Sequence, residues 1–80
     1  MTLRVLLFAS YADALGASEI DVDLPAGATV RDLIASVHRR AGNGRIPPSP
    51  LVAVNQRYAS LDTPVSASDE IAIIPPVAGG

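Results

Sequence analysis

The residues best suited to chemistry stand at the end of the sequence, which reads Pro75-Pro76-Val77-Ala78-Gly79-Gly80. Consecutive prolines favour an extended backbone, and six extended residues span up to about 20 Å. Gly79 and Gly80 have no Cβ atom, so they fit a narrow channel and accept backbone angles closed to other residues. The segment 75–80 is therefore predicted to be a slender arm that presents the α-carboxylate of Gly80.

A free carboxylate is a poor electrophile at neutral pH because its negative charge repels nucleophiles. Activation by ATP to an acyl-adenylate would supply a good leaving group and permit attack by a sulfur donor or an amine. The remaining sequence offers little chemistry of its own, with no cysteine, one histidine and one methionine. His38 falls at the margin of an apolar helical stripe, where a boundary residue is predicted. We expect a carrier on which enzymes act, with no catalysis, no metal site and no bound cofactor of its own.

Length and composition limit the class of protein. Eighty residues make one small domain, and 49% hydrophobic against 18% charged residues exclude a disordered tail. No apolar run approaches the length of about 18 residues that a membrane span needs, and the first one is too short for a signal peptide. The net charge of −2 gives no basic surface for nucleic acid. We expect a cytoplasmic protein that binds neither nucleic acid nor membranes.

All six basic residues are arginine, and the sequence contains no lysine. Two interpretations stay open at this point. One is genomic codon bias, and the other is avoidance of side-chain amines that would react with the activated terminus of a neighbouring copy. The second interpretation predicts that an introduced exposed lysine increases adducts between carriers.

Two strands and a short helical turn are predicted at the start of the chain. Residues 3–9 form a short apolar run with both faces apolar, as in a central strand, and residues 19–24 alternate between apolar and acidic. The two strands are expected to pair as a hairpin. Between them, residues 10–16 predict one helical turn with Ser10 as its capping residue.

One main helix and further strands are predicted next. Thr29 and Asp32 have the spacing of a capping box, and an apolar stripe follows at helical intervals. Residues 51–54 and 70–74 predict two strands, with a tight turn at Asn55 that leads to a short strand. The last strand is expected to be buried on both faces only if it lies beside the first strand. The order predicts an α+β protein with the β-grasp (ubiquitin-like) fold, a mixed sheet of four to five strands with one main helix. The stripe consists of Val30, Leu33, Ile34, Val37 and Ala41.

The domain is predicted to span residues 1–74, and the extended tail residues 75–80. One helix covers only one face of such a sheet, and an apolar face that the chain leaves uncovered predicts a protein partner. The alternative is that residues 42–50 and 59–68 cover this face. The apolar residues expected on the uncovered face are Leu6 and Phe8 on the first strand, with Ala72 or Ile74 on the last.

Three segments carry a resemblance to a known family. Val54-Asn55-Gln56 at the third-strand turn, Asp69-Glu70-Ile71-Ala72 at the last strand, and the tail 75–80 resemble the small, sulfur-carrying subunit of molybdopterin synthase. This family consists of ubiquitin-like sulfur carriers, and the resemblance is compatible with the whole length of the chain.

The resemblance implies that an E1-like adenylating enzyme uses ATP to adenylate Gly80, and that a sulfur donor then converts Gly80 to a thiocarboxylate. The tail would enter the large synthase subunit, which uses the sulfur on a pyranopterin precursor in molybdenum cofactor biosynthesis. Two small and two large subunits would form a heterotetramer. The resemblance assigns tail insertion to Pro75, Pro76, Val77, Ala78 and Gly79, and the partner interface to Phe8, Leu6 and Ile74.

Alternatives with the same tail stay open. A β-grasp sulfur carrier of another pathway would serve thiamine, cysteine or tungsten cofactor synthesis. A ubiquitin-like modifier would be conjugated through Gly80 to lysines of other proteins. A plain interaction domain would carry the tail incidentally. The segment Pro75-Pro76-Val77 favours the molybdenum pathway.

Overall fold

The computed structural model describes residues 1–42 and 50–75. Its elements form one mixed sheet of five strands in the order β2-β1-β5-β3-β4, with one main helix, which confirms the predicted architecture. Of the predicted tail, residues 76–80 lie outside the described residues. The strands are β1 (Thr2–Leu7), β2 (Glu19–Asp23), β3 (Leu51–Val54), β4 (Arg57–Tyr58) and β5 (Ile71–Ile74), and the helices are α1 (Ser10–Leu15) and α2 (Val30–Ala41).

Strand β5 joins the two halves of the sheet. It runs parallel to β1, with Val5 opposite Ile71, and antiparallel to β3, with Val52 opposite Ile73. The hairpin of β1 and β2 and the hairpin of β3 and β4 are therefore neighbours of β5 and not of each other. The pairing with β1 confirms the predicted place of the last strand beside the first. Its predicted burial on both faces is wrong: Ile71 and Ile73 are fully buried, but Ala72 and Ile74 on the other face are half-buried because no helix among the described residues covers that face.

Helix α2 covers one face of the sheet. The backbone N–H of Thr29 donates to Asp32 Oδ2 over 2.9 Å in a capping box, which confirms the predicted start of this helix. The predicted apolar stripe faces the sheet, and its centre is buried while Ile34 and Ala41 are half-buried. The buried apolar residues of the core are Leu3, Val5, Leu7, Tyr11, Ile20, Val22, Leu24, Ala28, Val30, Leu33, Val37, Val52, Val65, Ile71 and Ile73.

The junction between β1 and α1 differs from the sequence-based prediction. Ser10 is the first helical residue, and Ala9 is the N-cap, with φ 50° and ψ −124° and no capping hydrogen bond from its side chain. A positive φ is uncommon for a residue with a Cβ atom. The cause is tertiary: the N–H of Phe8 donates to the carbonyl of Ile73, and Tyr11, three residues further on, is fully buried. The chain must therefore turn sharply at Ala9.

The loop of residues 59–68 packs at the N-terminal end of α2. The N–H groups of Val30 and Arg31 donate to the carbonyls of Thr63 and Leu61, each over 2.9 Å. These bonds satisfy first-turn N–H groups that have no partner within a helix. Residues 61–63 of this loop therefore lie on the helix side, whereas Ser68 reaches the margin of the opposite face beside Arg4 and Leu6. Residues 43–49, which belong to the other segment predicted to cover that face, lie outside the described residues. In residues 1–42 and 50–75, no helix is long and apolar enough to cross a membrane.

Candidate functional site

The sheet face opposite α2, here called the open face, carries an apolar row that crosses four strands. Leu6 on β1 lies opposite Ala72 on β5, Ala72 lies opposite Ala53 on β3, and Ala53 lies opposite Tyr58 on β4. The chain neighbours of Leu6 and Ala72 are buried in the core, because successive side chains of a strand alternate between its faces. Tyr58 is 72% exposed at the far edge of the row.

A second apolar row lies at the end of β5 from which the tail leaves. Leu51 and Ile74 lie opposite each other and are half-buried. Phe8, which follows Leu6 on the open face in the alternation of β1, is 48% exposed. The N–H of Phe8 donates to the carbonyl of Ile73 over 3.3 Å, which holds it beside β5. The two rows form one continuous surface, here called the apolar patch, that ends at the half-buried Pro75.

The sequence-predicted residues Leu6, Phe8 and Ile74 thus lie together on one face, while their role in an interface stays a prediction. Sequence reasoning missed Leu51 and Tyr58 on the same face. Period-two alternation separates the two faces of these strands, but only the pairing of Leu51 with Ile74 and of Tyr58 with Ala53 shows which face is the open one. Gly80 and the other tail positions beyond Pro75 lie outside the described residues.

The other end of the open face, at the starts of β1 and β5, is charged. Arg4 Nε lies 3.9 Å from Glu19 Oε1 and 3.9 Å from Asp21 Oδ1. The hydroxyl of Thr2 donates to Asp23 Oδ1 over 2.6 Å on the same pair of strands. A shallow pocket at this end is lined by Arg4, Leu6, Glu19, Ser68, Asp69 and Glu70.

Two of the sequence motifs meet beside this charged end. Asn55 Nδ2 donates to Asp69 Oδ1 over 2.9 Å, and the N–H of Glu70 donates to Asn55 Oδ1 over 3.0 Å. Asn55 and Gln56 have φ values of 53° and 68°, which confirms the predicted tight turn. The side-chain bond from Asn55 and a backbone bond from Ser66 hold the pKa of Asp69 below its ordinary value. This contact, here called the Asn55–Asp69 clasp, ties the β3–β4 turn to the start of β5.

The described residues of the open face present apolar and charged surface. Within 1–42 and 50–75, no three His, Asp or Glu side chains lie close enough to hold a metal ion. His38 is exposed on α2, at the boundary position predicted for it. What the site offers is therefore an apolar patch at the exit of the tail and a charged region at the opposite end of the same face.

A mixed sheet packed on one main helix, with its last strand parallel to and beside its first, defines a ubiquitin-like β-grasp protein. Within that class the chain belongs to the ThiS family, whose model matches residues 5–80. The family resemblance inferred from the sequence motifs is thereby confirmed.

Curated relatives match along nearly the whole chain. The molybdopterin synthase sulfur carrier subunit of Escherichia coli (strain K12) is 35% identical over 80 residues, which cover 98% of this chain and 99% of the relative. The protein of the same name from Dictyostelium discoideum is 40% identical over 81 residues, with 96% and 94% covered.

Solved structures agree with the fold. A putative molybdopterin converting factor subunit 1 from Pyrococcus furiosus superposes with a TM-score of 0.81 at 30% identity, covering 96% of this chain and 99% of that one. SAMP1 from Haloferax volcanii superposes with a TM-score of 0.79 at 28% identity, covering both chains fully.

Proposed function

We propose that this chain is the sulfur carrier subunit of a molybdopterin synthase and that it carries sulfur as a thiocarboxylate on Gly80. The observation that carries this proposal is the position of the apolar patch, which ends at Pro75, where the tail begins. A protein that docks on the patch is placed to receive the tail in its own active site. The names of the full-length relatives support the molybdenum pathway among the sulfur carriers.

The chemistry proposed for the tail consists of two displacements on partner enzymes. In an E1-like enzyme, a carboxylate oxygen of Gly80 attacks the α-phosphorus of ATP, and pyrophosphate leaves. A sulfur nucleophile at the sulfide level then attacks the acyl carbon, and AMP leaves, so that a carbon–sulfur bond replaces a carbon–oxygen bond. The thiocarboxylate sulfur then attacks a carbon of the pyranopterin precursor and displaces an oxygen leaving group from it. Water attacks the acyl carbon, the acyl carbon–sulfur bond breaks so that the sulfur stays on the precursor, and Gly80 is a carboxylate again. The acid–base groups for these steps belong to the partners, which makes this chain a non-catalytic subunit.

The proposed roles of the apolar side chains and of the tail follow from their positions in the fold. Phe8, Leu6 and Ile74 would bury their exposed surface against the large synthase subunit, which removes apolar area from water. Residues 75–79 would then lie in the channel of that subunit, where side chains of small cross-section are tolerated. Two carriers on two large subunits would give a heterotetramer. We place this assembly in the cytoplasm.

A protein modifier is the second candidate, and the full-length structural likeness to SAMP1 favours it. A modifier would use the same adenylate on Gly80, but a lysine amine of a target protein would attack the acyl carbon in place of sulfur. The two functions therefore leave different products on Gly80. One product is a thiocarboxylate, and the other is an isopeptide bond.

Intact-mass analysis of the protein isolated from its native cells separates the two candidates. The sulfur carrier predicts a species in which one oxygen atom is replaced by sulfur, and deletion of Gly80 should abolish it. Isopeptide-linked conjugates without the sulfur-containing species would instead establish the modifier. Unmodified protein alone, in cells that actively make the molybdenum cofactor, would contradict both.

A further inference from the structure

The open face carries a row of carboxylates beside the apolar patch. Glu19, Asp21 and Asp23 are exposed and alternate along β2, so their side chains share one side of the strand. Glu70, two residues before Ala72 of the apolar row, is exposed on the same side by the same alternation. These four carboxylates are here called the acidic margin.

Positive charge on this face is scarce. Arg4 is the one cation of the described open face, and it lies 3.9 Å from both Glu19 and Asp21 with its side chain 71% exposed. Among the described residues, Arg31 and Arg39 lie on α2, and Arg57 lies opposite Val54 on the helix side. Arg40, also on α2, reaches round to the edge of β2, where its Nη1 donates to the backbone carbonyl of Asp21. Carboxylates therefore outnumber guanidinium groups on this face four to one.

Solvation alone does not require charges of one sign. An exposed strand needs polar side chains, and alternating signs would avoid the repulsion that like charges impose on neighbouring positions. Successive carboxylates on β2 stand only about 7 Å apart, within the screening length of about 8 Å at physiological ionic strength. In the free domain Arg4 and Arg40 offset part of this repulsion, and a cationic surface brought against the face would relieve the rest.

We propose that the acidic margin is the second half of the docking surface, and that the protein receiving the tail presents Arg or Lys side chains to it. This inference rests on the proposed function and specifies the chemistry of the partner. Along β1, Arg4 lies four residues from Phe8, a distance of about 13 Å. The partner therefore combines an apolar surface at the mouth of its channel with cationic side chains about 13 Å away.

The two halves of the surface have different tasks. The apolar patch supplies affinity, because it removes apolar area from water. The acidic margin increases the association rate and fixes orientation, because complementary charges steer diffusional encounter more than they add net affinity. A patch alone would allow the carrier to rotate on the partner. A second contact at its far end sets the direction in which the tail enters.

The test is the association rate of Asp21→Arg with the synthase large subunit encoded in the same genome, measured by stopped-flow fluorescence. At an ionic strength of about 20 mM, the substitution should slow association about tenfold, and at about 0.5 M the difference should fall below about twofold. The dissociation rate should change less. If Asp21→Arg lowers the melting temperature, Glu19→Arg provides the same charge change on the same face.

Asp62→Arg is the matched control. Asp62 is also an exposed aspartate beside one arginine, with Arg31 Nη2 3.2 Å away, but it lies on the helix side. The two variants have the same net charge, so only the position of the charge differs. Equal slowing by Asp21→Arg and Asp62→Arg would show that net charge alone acts and would overturn the acidic margin. Failure of the wild-type chain to bind the large subunit at any salt concentration would instead contradict the proposed function, and with it the inference.

Discussion

Replacement of Ala9 by glycine is expected to stabilise the protein. The backbone of Ala9, at φ 50° and ψ −124°, lies in a region that residues with a Cβ atom rarely occupy, and such strain costs about 1–3 kcal/mol. Glycine removes the strain but adds freedom to the unfolded chain, which costs about 0.4–1 kcal/mol. The free energy of unfolding should therefore rise by about 1 kcal/mol. With about 2.1 cal/mol/K of unfolding entropy per residue over 80 residues, the melting temperature should rise by about 6 °C.

Thermal and urea unfolding followed by circular dichroism measure this change. Ala14→Gly is the matched control, because Ala14 lies within α1, where glycine costs about 1 kcal/mol relative to alanine. The same substitution, made at two positions five residues apart, should thus change the free energy of unfolding in opposite directions. If Ala9→Gly lowered the midpoint as Ala14→Gly does, then Ala9 would not hold a left-handed backbone in solution. The reasoning about the β1–α1 junction would then be wrong.

Two further predictions concern the clasp and the open face. Asp69→Ala should lower stability at neutral pH, and the difference from wild type in urea midpoint should shrink in acid. The pKa of Asp69 is lower in the folded protein than its ordinary value of 3.8, so the stabilisation is fully present above pH 3.8 and is lost as the pH falls through the folded-state pKa. A difference in urea midpoint that stays constant with pH would show that the carboxylate charge is not involved. Phe8→Asp should weaken binding to the large subunit about a hundredfold, because burying an unpaired charge costs several kcal/mol, while the domain stays folded. Leu61→Asp is the control, because Leu61 is 45% exposed, close to the 48% of Phe8, but lies on the helix side. Binding is measured by calorimetry, and an equal loss of affinity in both variants would contradict a role for the open face.

The parts of the fold that local sequence determines were predictable. The helical stripe and the capping box of Thr29 and Asp32 involve residues within a few positions of each other, and periodicity alone identifies them. The tight turn at Asn55 follows likewise from a residue type that tolerates positive φ. The place of the last strand beside the first was predicted from its continuous apolar run, and β5 is indeed paired along both edges.

Features imposed by distant parts of the chain were not predictable. Ala9 takes its strained backbone because Phe8 is bonded to Ile73 and Tyr11 is buried, and no pattern near Ala9 reveals these constraints. The contact between Asn55 and Asp69 joins two motifs 14 residues apart, each of which is unremarkable alone. Of the candidate site, the sequence predicts the apolar residues of β1 and β5, but those of β3 and β4 become visible only once the register is known.

The central position of β5 has a consequence for synthesis of the chain. Strand β5 pairs with both β1 and β3 and thereby joins the two hairpins. It is also the last strand in the sequence, so the ribosome makes it after all the other strands. Until Ile71–Ile74 emerge, the β1–β2 and β3–β4 hairpins have no shared partner, and isolated hairpins are marginal in water. A product that stops before Ile71 therefore lacks a complete sheet and is open to proteolysis. Assembly of the apolar patch is thus delayed until the strand that leads directly into the tail has been made.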